Sequence, residues 1–152
     1  HVLRERGLRY DCSIYPVHHP RYGQPQSPRS PFVLAPSDPP FVVVPMPTWR
    51  FAGVNVPFSG GGYMRVLPRP AFRVLRTLAA RQGQPCVTYL HPWEIDPGQP
   101  RVDGAPLKSR LRHYTNLHRM AVKLRQLIHE FAWGRMDVLA HREALRLAQE
   151  AA

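Results

Sequence analysis

Apolar side chains recur at helical spacing in the C-terminal part of the chain. They occupy i, i+3, i+4 and i+7 positions, namely Leu117, Met120, Ala121, Leu124, Leu127, Ile128 and Phe131. This pattern predicts a long helix, which Thr115 or Asn116 can cap and which Gly134 is expected to end. A segment rich in Ala, Leu and Arg, with a weaker apolar face, predicts a second, shorter helix over about 137–150.

The N-terminal part alternates between helix and strand signals. Residues 3–7 are typical of the last turn of a helix, with Gly7 just past its end, and the β-forming residues 8–14 predict a strand. Another helix is expected between Pro68 and Gly83. A helix followed by a strand is the repeating step of α/β folds, so we expect an α/β fold.

Short apolar runs predict further extended segments at 41–44, 49–58 and 86–90. Between the first two strand signals, residues 15–40 contain so many prolines that neither a helix nor a central strand is expected there. The aromatic residues of this proline-rich segment predict an ordered loop rather than a disordered linker.

The glycine and proline content of two further segments predicts irregular structure. Residues 60–62 are three consecutive glycines and predict a tight turn, where the backbone can approach a ligand or another part of the chain. Residues 95–114 are polar and punctuated by Pro and Gly, so we expect a loop.

Composition and charge limit the possible classes of protein. The 152 residues suffice for one domain with a hydrophobic core, and no apolar run is long enough for a transmembrane helix. The net charge of +11 comes almost entirely from arginine, since Lys108 and Lys123 are the only lysines. This excess is explained either by scattered solvated arginines from a GC-rich genome or by a site for a polyanion. Cys12 and Cys86 form no CxxC pair and are expected to be free thiols.

His91 is the first candidate for chemistry, because it directly follows the predicted strand 86–90. Polar groups at the carboxyl ends of strands form the active sites of many α/β proteins. An imidazole fixed there by Pro92 can exchange a proton near neutral pH, although a histidine bonded to a carbonyl is the alternative. Trp93 is either a flat wall for a sugar ring or a core residue.

Asp11 is the second candidate, at or near the end of the strand 8–14. A carboxylate in an apolar strand is costly unless an arginine or several hydrogen-bond donors accompany it. The alternative is an aspartate that serves a turn. Other polar groups are weaker candidates, because the His18–His19 doublet with Arg21 and Tyr22 lacks a third ligand of suitable spacing.

The histidines and basic residues of the C-terminal part are most simply solvated. This interpretation covers His113, His118 and His129, and the basic run Arg110, Arg112, Arg119, Lys123 and Arg125. Binding of a phosphate or an acidic polymer by the basic run is the alternative. The sequence contains no GxSxG, P-loop, GxGxxG or HExxH motif.

Several segments together resemble a known family. In chain order they are YDCSIYP at 10–16, HPRYG at 19–23, GGGYMR at 60–65, YLHPWEIDP at 89–97 and RHYTNL at 112–117. They resemble the C-terminal part of polysaccharide deacetylases with a NodB-type domain, closest to the subgroup associated with exosortase/PEP-CTERM exopolysaccharide loci.

The resemblance implies an α/β fold that is the C-terminal part of a distorted (β/α)7 barrel, with a Pro-rich insertion and a C-terminal helical extension. It implies a divalent metal, usually zinc, held by an Asp and two His, and an Asp general base, all upstream of His1. Because the chain begins with His1 rather than Met, we expect a C-terminal piece of a longer protein. The piece alone is expected to be inactive.

The resemblance also assigns roles to residues of this chain. His91 matches the histidine that acts as general acid on the leaving amine, and Tyr89 matches the position beside the acetyl pocket. Asp11 resembles an aspartate that supports an arginine next to the base. Trp93 was assigned to the sugar site above, and Tyr63 and Arg65 are placed in the sugar groove as a hypothesis.

These interpretations lead to one functional hypothesis and one rival. We expect 1–17 to end the deacetylase barrel, 18–96 to be a family-specific extension that bears the last catalytic motif, and 97–152 to be a loop with helices. The hypothesis is a metal-dependent N-deacetylase that acts on an N-acetylated exopolysaccharide, with no nucleic-acid partner. The rival is a non-catalytic basic module that binds nucleic acid or an acidic polysaccharide.

Overall fold

The computed structural model describes residues 2–19, 22–35 and 40–150, which form a mixed α/β structure. The helices are α1 (Val2–Glu5), α2 (Gly61–Val66), α3 (Arg69–Arg81), α4 (Leu107–Tyr114), α5 (Leu117–Glu130) and α6 (Met136–Glu150), with a 3-10 helix at Pro92–Ile95. The strands are β1 (Tyr10–Asp11), β2 (Phe32–Ala35), β3 (Phe41–Val43), β4 (Thr48–Phe51) and β5 (Val54–Pro57). His1, Pro20, Arg21 and 36–39 lie outside the described residues.

The central strand β3 confirms the prediction for 41–44, and all of its residues are buried. β1 pairs with it in parallel, with Tyr10 opposite Val42, and β2 pairs with it antiparallel on the other side. The strand predicted over 8–14 is only two residues long. Pairing stops at Asp11, whose carboxylate accepts the backbone N–H of Ser13 at 3.2 Å and so turns the chain.

The proline-rich segment contains no helix in its described part, as predicted, but it does contain β2. This strand begins directly after Pro31 and lies at the edge of the sheet, where proline is tolerated beside a strand. Arg29 ties the segment to the rest of the molecule, because its guanidinium donates to Thr48 O at 2.8 Å and to Gln82 Oε1 at 2.6 Å. Helix α6 packs against β2 and β3.

The extended segment predicted at 49–58 is a two-stranded hairpin. Phe51 pairs with Val54 across a two-residue loop, in which Ala52 and Gly53 both have positive φ angles of 47° and 80°. This is the conformation of the turns that suit the twist of a β-hairpin. The hairpin packs against α3.

Helices α2, α3 and α5 enclose the main apolar cluster. Its buried members are Phe58, Met64, Phe72, Ala79, Met120 and Leu127. The long helices predicted from apolar spacing are therefore confirmed, although α5 ends at Glu130 rather than at Gly134. Lys123, expected to be solvated, instead donates to the carbonyls of Met64 and Leu67 and so caps the C-terminal end of α2.

Three predictions for local structure were wrong. Residues 60–62 do not form a turn, since Gly61 begins α2. Residues 86–90 contain no strand; only Tyr89 forms an isolated bridge, with Gly60. The loop expected at 95–114 contains α4, in which Leu107 and Leu111 lie one helical turn apart but no residue is buried.

The apolar run at 86–90 reflects packing rather than strand pairing. Cys86 packs against the main apolar cluster, and Val87 packs against a second cluster made of Tyr15, Val17 and Met46. The described strands form no closed barrel, so the barrel implied by the resemblance stays a prediction. Within the described part of the chain, no helix has the length and apolar character needed to cross a bilayer.

Candidate functional site

A pocket of about 450 Å³ lies between the start of α2, the segment 89–94 and the polar helix α4. Four of the residues predicted from the sequence line it: Arg65, Tyr89, His91 and Trp93. Its volume is within the range of sites that bind small molecules. We call this space the His91 pocket.

A buried ion pair forms the base of the His91 pocket. Arg65 and Glu94 retain only 5% and 2% of their exposure, and Arg65 Nε lies 3.4 Å from Glu94 Oε1. The rest of the guanidinium donates to backbone carbonyls, to His113 O at 2.6 Å, Thr115 O at 3.1 Å and Arg112 O at 3.1 Å. Burial lowers the pKa of Arg65, and the Glu94 carboxylate opposes this shift. Arg65 thus joins three segments around the pocket, and its predicted contact with a sugar stays a prediction.

The Glu94 carboxylate occupies the space in front of Gly61. A Cβ at position 61 would overlap the carboxylate, whereas a Cβ at Gly62 would meet only Arg65 Nη2 at 3.9 Å. The N–H of Gly61 also donates to Tyr89 O at 2.9 Å. The prediction that this glycine run permits close approach of another chain segment is therefore confirmed, although the run starts a helix.

His91 precedes the 3-10 helix instead of ending a strand. Its backbone N–H donates to Glu94 Oε2 at 2.9 Å, and its Nδ1 lies 3.5 Å from the same oxygen. The imidazole is 55% exposed and lines the pocket. Because Nδ1 faces the carboxylate, Nε2 is the ring nitrogen that remains to exchange a proton with a bound molecule.

Five rings follow one another along the pocket wall. Tyr89 meets His91 edge-on at 5.6 Å, His91 stacks with Trp93 at 5.6 Å, Trp93 stacks with His113 at 4.2 Å, and His113 meets Tyr114 edge-on at 4.7 Å. Tyr89 and His91 are the exposed end of this row, while the other three rings are half-buried. Trp93 therefore supports the rings on either side of it, and its predicted contact with a sugar stays a prediction.

Sequence reasoning missed the roles of Glu94, Gln99 and His113. His113 was interpreted as a solvated helix residue, but its Nε2 lies 2.8 Å from Gln99 Oε1, and Gln99 Nε2 donates to Trp93 O at 2.8 Å. Glu94 lies three residues after His91 at the start of a helical turn. This spacing is the signal that could have revealed the contact between the Glu94 carboxylate and the His91 backbone N–H. No local pattern links residues 99 and 113.

Two of the predicted site residues, Asp11 and Tyr63, do not line the His91 pocket. Asp11 lines a separate cavity of about 1030 Å³, and Tyr89 is the one predicted residue that lines both spaces. The Asp11 carboxylate accepts the Ser13 hydroxyl at 2.7 Å and the Ser13 N–H, which fits the turn interpretation. Tyr63 packs edge-on against Tyr15 in the second apolar cluster and is not among the described residues that line the His91 pocket.

Burial also affects the phenols and thiols around these cavities. It raises the pKa of Tyr63 to about 12 and raises the pKa of Tyr89, while Arg112 acts in the opposite direction on both. Cys12 and Cys86 are free, as predicted, and burial raises the pKa of each thiol. Protonated thiols are poor nucleophiles, so neither cysteine is a candidate for catalysis at neutral pH.

The described residues include no candidate metal centre. Among them, no three His, Cys, Asp or Glu side chains come together in a group that could hold a metal ion. The resemblance places the metal ligands outside this chain.

Comparison with known proteins gives a single match. The family model described as "Domain of unknown function (DUF3473)" matches residues 12–141, and this family is associated with polysaccharide deacetylase-like proteins. No curated protein and no solved structure matches the chain. Since the match covers most of its length, the chain belongs to the DUF3473 family.

Proposed function

We propose that this chain is the C-terminal portion of a metal-dependent N-deacetylase that removes acetyl groups from an exopolysaccharide, and that His91 is its general acid. The observation that carries this proposal is an exposed imidazole whose Nδ1 side faces a buried carboxylate and whose ring lines a pocket. The association of the family with polysaccharide deacetylase-like proteins supports it. The distorted (β/α)7 barrel is part of the same proposal.

Binding of the sugar is the first task of the pocket. The exposed rings of Tyr89 and His91 offer apolar faces and edges to a sugar ring, and the backbone contacts of Arg65 hold α4 against the opposite side. A site whose walls are fixed before binding loses less entropy when the substrate enters.

Proton transfer is the second task. When the C–N bond of the acetamide breaks, the departing amine needs a proton, and His91 Nε2 donates it. Glu94 orients the imidazole through Nδ1, and Arg65 keeps the carboxylate in place. Histidine general acids contribute about 10²–10⁴-fold to such steps.

The test is acetate release from N-acetylated chitooligosaccharide by the intact protein that carries this chain. We expect His91→Gln to lower kcat at least about 100-fold with a much smaller change in KM, because the proton donor acts in the transition state. Glu94→Gln is expected to lower kcat less and to shift the pH profile, since it removes the charge that orients the ring. His118→Gln, at an exposed position of α5, is the matched control.

Wild-type turnover by the His91 variant would refute the acid role. Absence of acetate release from any N-acetylated glycan, together with steeply salt-dependent binding of acidic polymers, would favour the rival interpretation as a basic binding module.

A further inference from the structure

The rim of the His91 pocket carries positive charge that the proposed reaction does not use. Arg110 and Arg112, on α4, line the pocket, and both are exposed. In the described part of the chain, neither forms an ion pair with a carboxylate. Among the described residues, Glu94 is the only acidic one that lines the pocket, and Arg65 already pairs with it. The pocket therefore has excess positive charge at its opening.

The position of Arg112 is fixed although its side chain is exposed. Its carbonyl accepts Arg65 Nη2 at 3.1 Å, and its guanidinium acts electrostatically on the phenols of Tyr63 and Tyr89. It thus lies beside the exposed end of the ring row, where a bound sugar would contact Tyr89 and His91. An exposed guanidinium on this anchored backbone can bind a carboxylate through two parallel N–H···O bonds.

We propose that the His91 pocket binds an anionic glycan, in which Arg112 and Arg110 bind the carboxylate of a uronic acid adjacent to the N-acetylated sugar. This inference rests on the proposed function, and it names the substrate class of that same site. The ring row binds the sugar faces, and the two arginines select the charged neighbour.

A single-stranded nucleic acid fits the pocket less well. Such ligands bind to aromatic faces on which successive bases stack. Here the two exposed rings, Tyr89 and His91, meet at 79°, and Trp93 already stacks with His113. The described rings therefore offer no pair of parallel exposed platforms, and a glycan is the better occupant.

The experiment compares two hexasaccharides of equal length by titration calorimetry with the chain. Hyaluronan hexasaccharide alternates N-acetylglucosamine with glucuronate, whereas chitohexaose is neutral. We expect hyaluronan to bind at least about tenfold more tightly, and Arg112→Gln to remove most of that difference while leaving chitohexaose binding unchanged. Arg110→Gln should have a smaller effect in the same direction.

The control is Arg119→Gln, an equal change of charge at an exposed position of α5 that does not line the pocket. An equal loss of affinity in this control would show that binding depends on overall charge and would overturn the inference. Equal affinity for the two hexasaccharides would overturn it while leaving the proposed glycan site intact. Binding of neither would also overturn the inference, while acetate release by the intact protein would still decide the proposed function. Tighter, competing binding of an oligouridylate would assign the arginines to nucleic acid and also overturn it.

Discussion

Glu94 is the residue on which the geometry of the site depends most. Its carboxylate accepts the backbone N–H of His91, faces the imidazole of the same residue and pairs with Arg65. A buried carboxylate of this kind cannot move without losing several contacts at once, and breaking a buried ion pair leaves an uncompensated charge. The fixed position of Glu94 in turn restricts which residue can occupy position 61.

Gly61→Ala is therefore expected to destabilise the chain by about 1–3 kcal/mol, the usual range for overpacking a fixed site. The added methyl group would overlap the Glu94 carboxylate, which Arg65 holds in place. The matched control is Gly62→Ala, where the methyl group finds ordinary contact and a helix former replaces glycine, so stability should rise by up to about 1 kcal/mol. Urea unfolding of both variants measures the difference. Equal stability of the two would contradict this account of Gly61.

At the scale of elements, the site is held together by contacts of α2 with the segment that carries His91 and with the junction of α4 and α5. The bridge between Gly60 and Tyr89 aligns the start of α2 with the segment that carries His91. The Arg65 side chain then links α2 to the junction of α4 and α5. A second hydrogen bond joins the same segments, because the Asn116 side-chain amide donates to Arg65 O at 3.0 Å. The site is thus built between elements that are distant in sequence.

The turn of the hairpin β4–β5 contains a residue whose replacement should stabilise the chain. Ala52 has a φ of 47°, a left-handed conformation that costs a residue with a Cβ about 1–2 kcal/mol and that asparagine tolerates better. Ala52→Asn should therefore stabilise the chain by about 0.5–1 kcal/mol, as measured by thermal unfolding. Ala80→Asn, at an exposed position in α3, is the control and should destabilise it slightly. A loss of stability in the Ala52 variant would show that the turn has another conformation.

At the scale of the whole molecule, the two apolar clusters respond differently to pH. The buried members of the main cluster do not titrate, although the Cys86 thiol packs against them, whereas the second cluster contains Tyr15 and packs against Tyr63. Burial raises the pKa of both phenols, as it does for Tyr89. A group with a raised folded-state pKa stabilises the protein fully below its unfolded pKa, and that stabilisation is lost as pH rises.

We therefore expect the free energy of unfolding to fall as pH rises from about 10, the usual tyrosine value, towards about 12, the folded-state pKa of Tyr63. Tyr63→Phe should make this fall smaller, because it removes a phenol whose folded-state pKa is raised. Urea midpoints at several alkaline pH values, with tyrosine absorbance followed in parallel, provide the measurement. An unchanged pH dependence in the Tyr63 variant would show that this phenol titrates normally.

The sequence by itself determined the elements whose cause is local. Helical spacing of apolar residues predicted α3, α5 and α6, the buried run predicted β3, and prolines excluded helices from the described part of 15–40. It also singled out His91, although the strand on which that inference rested is absent, and the family resemblance pointed to Tyr89. These features depend on neighbouring residues, so no long-range contact is needed to infer them.

Tertiary structure alone decided what surrounds His91. The strand expected at 86–90 is absent because its apolar residues pack into two clusters, α4 forms although none of its residues is buried, and Arg65 contacts residues nearly fifty positions away. Burial of Glu94, the ring row and the separation of Asp11 from the His91 pocket arise from contacts between distant segments. A sequence pattern reports which residues prefer to be buried, but the partner that each one meets depends on how the whole chain packs.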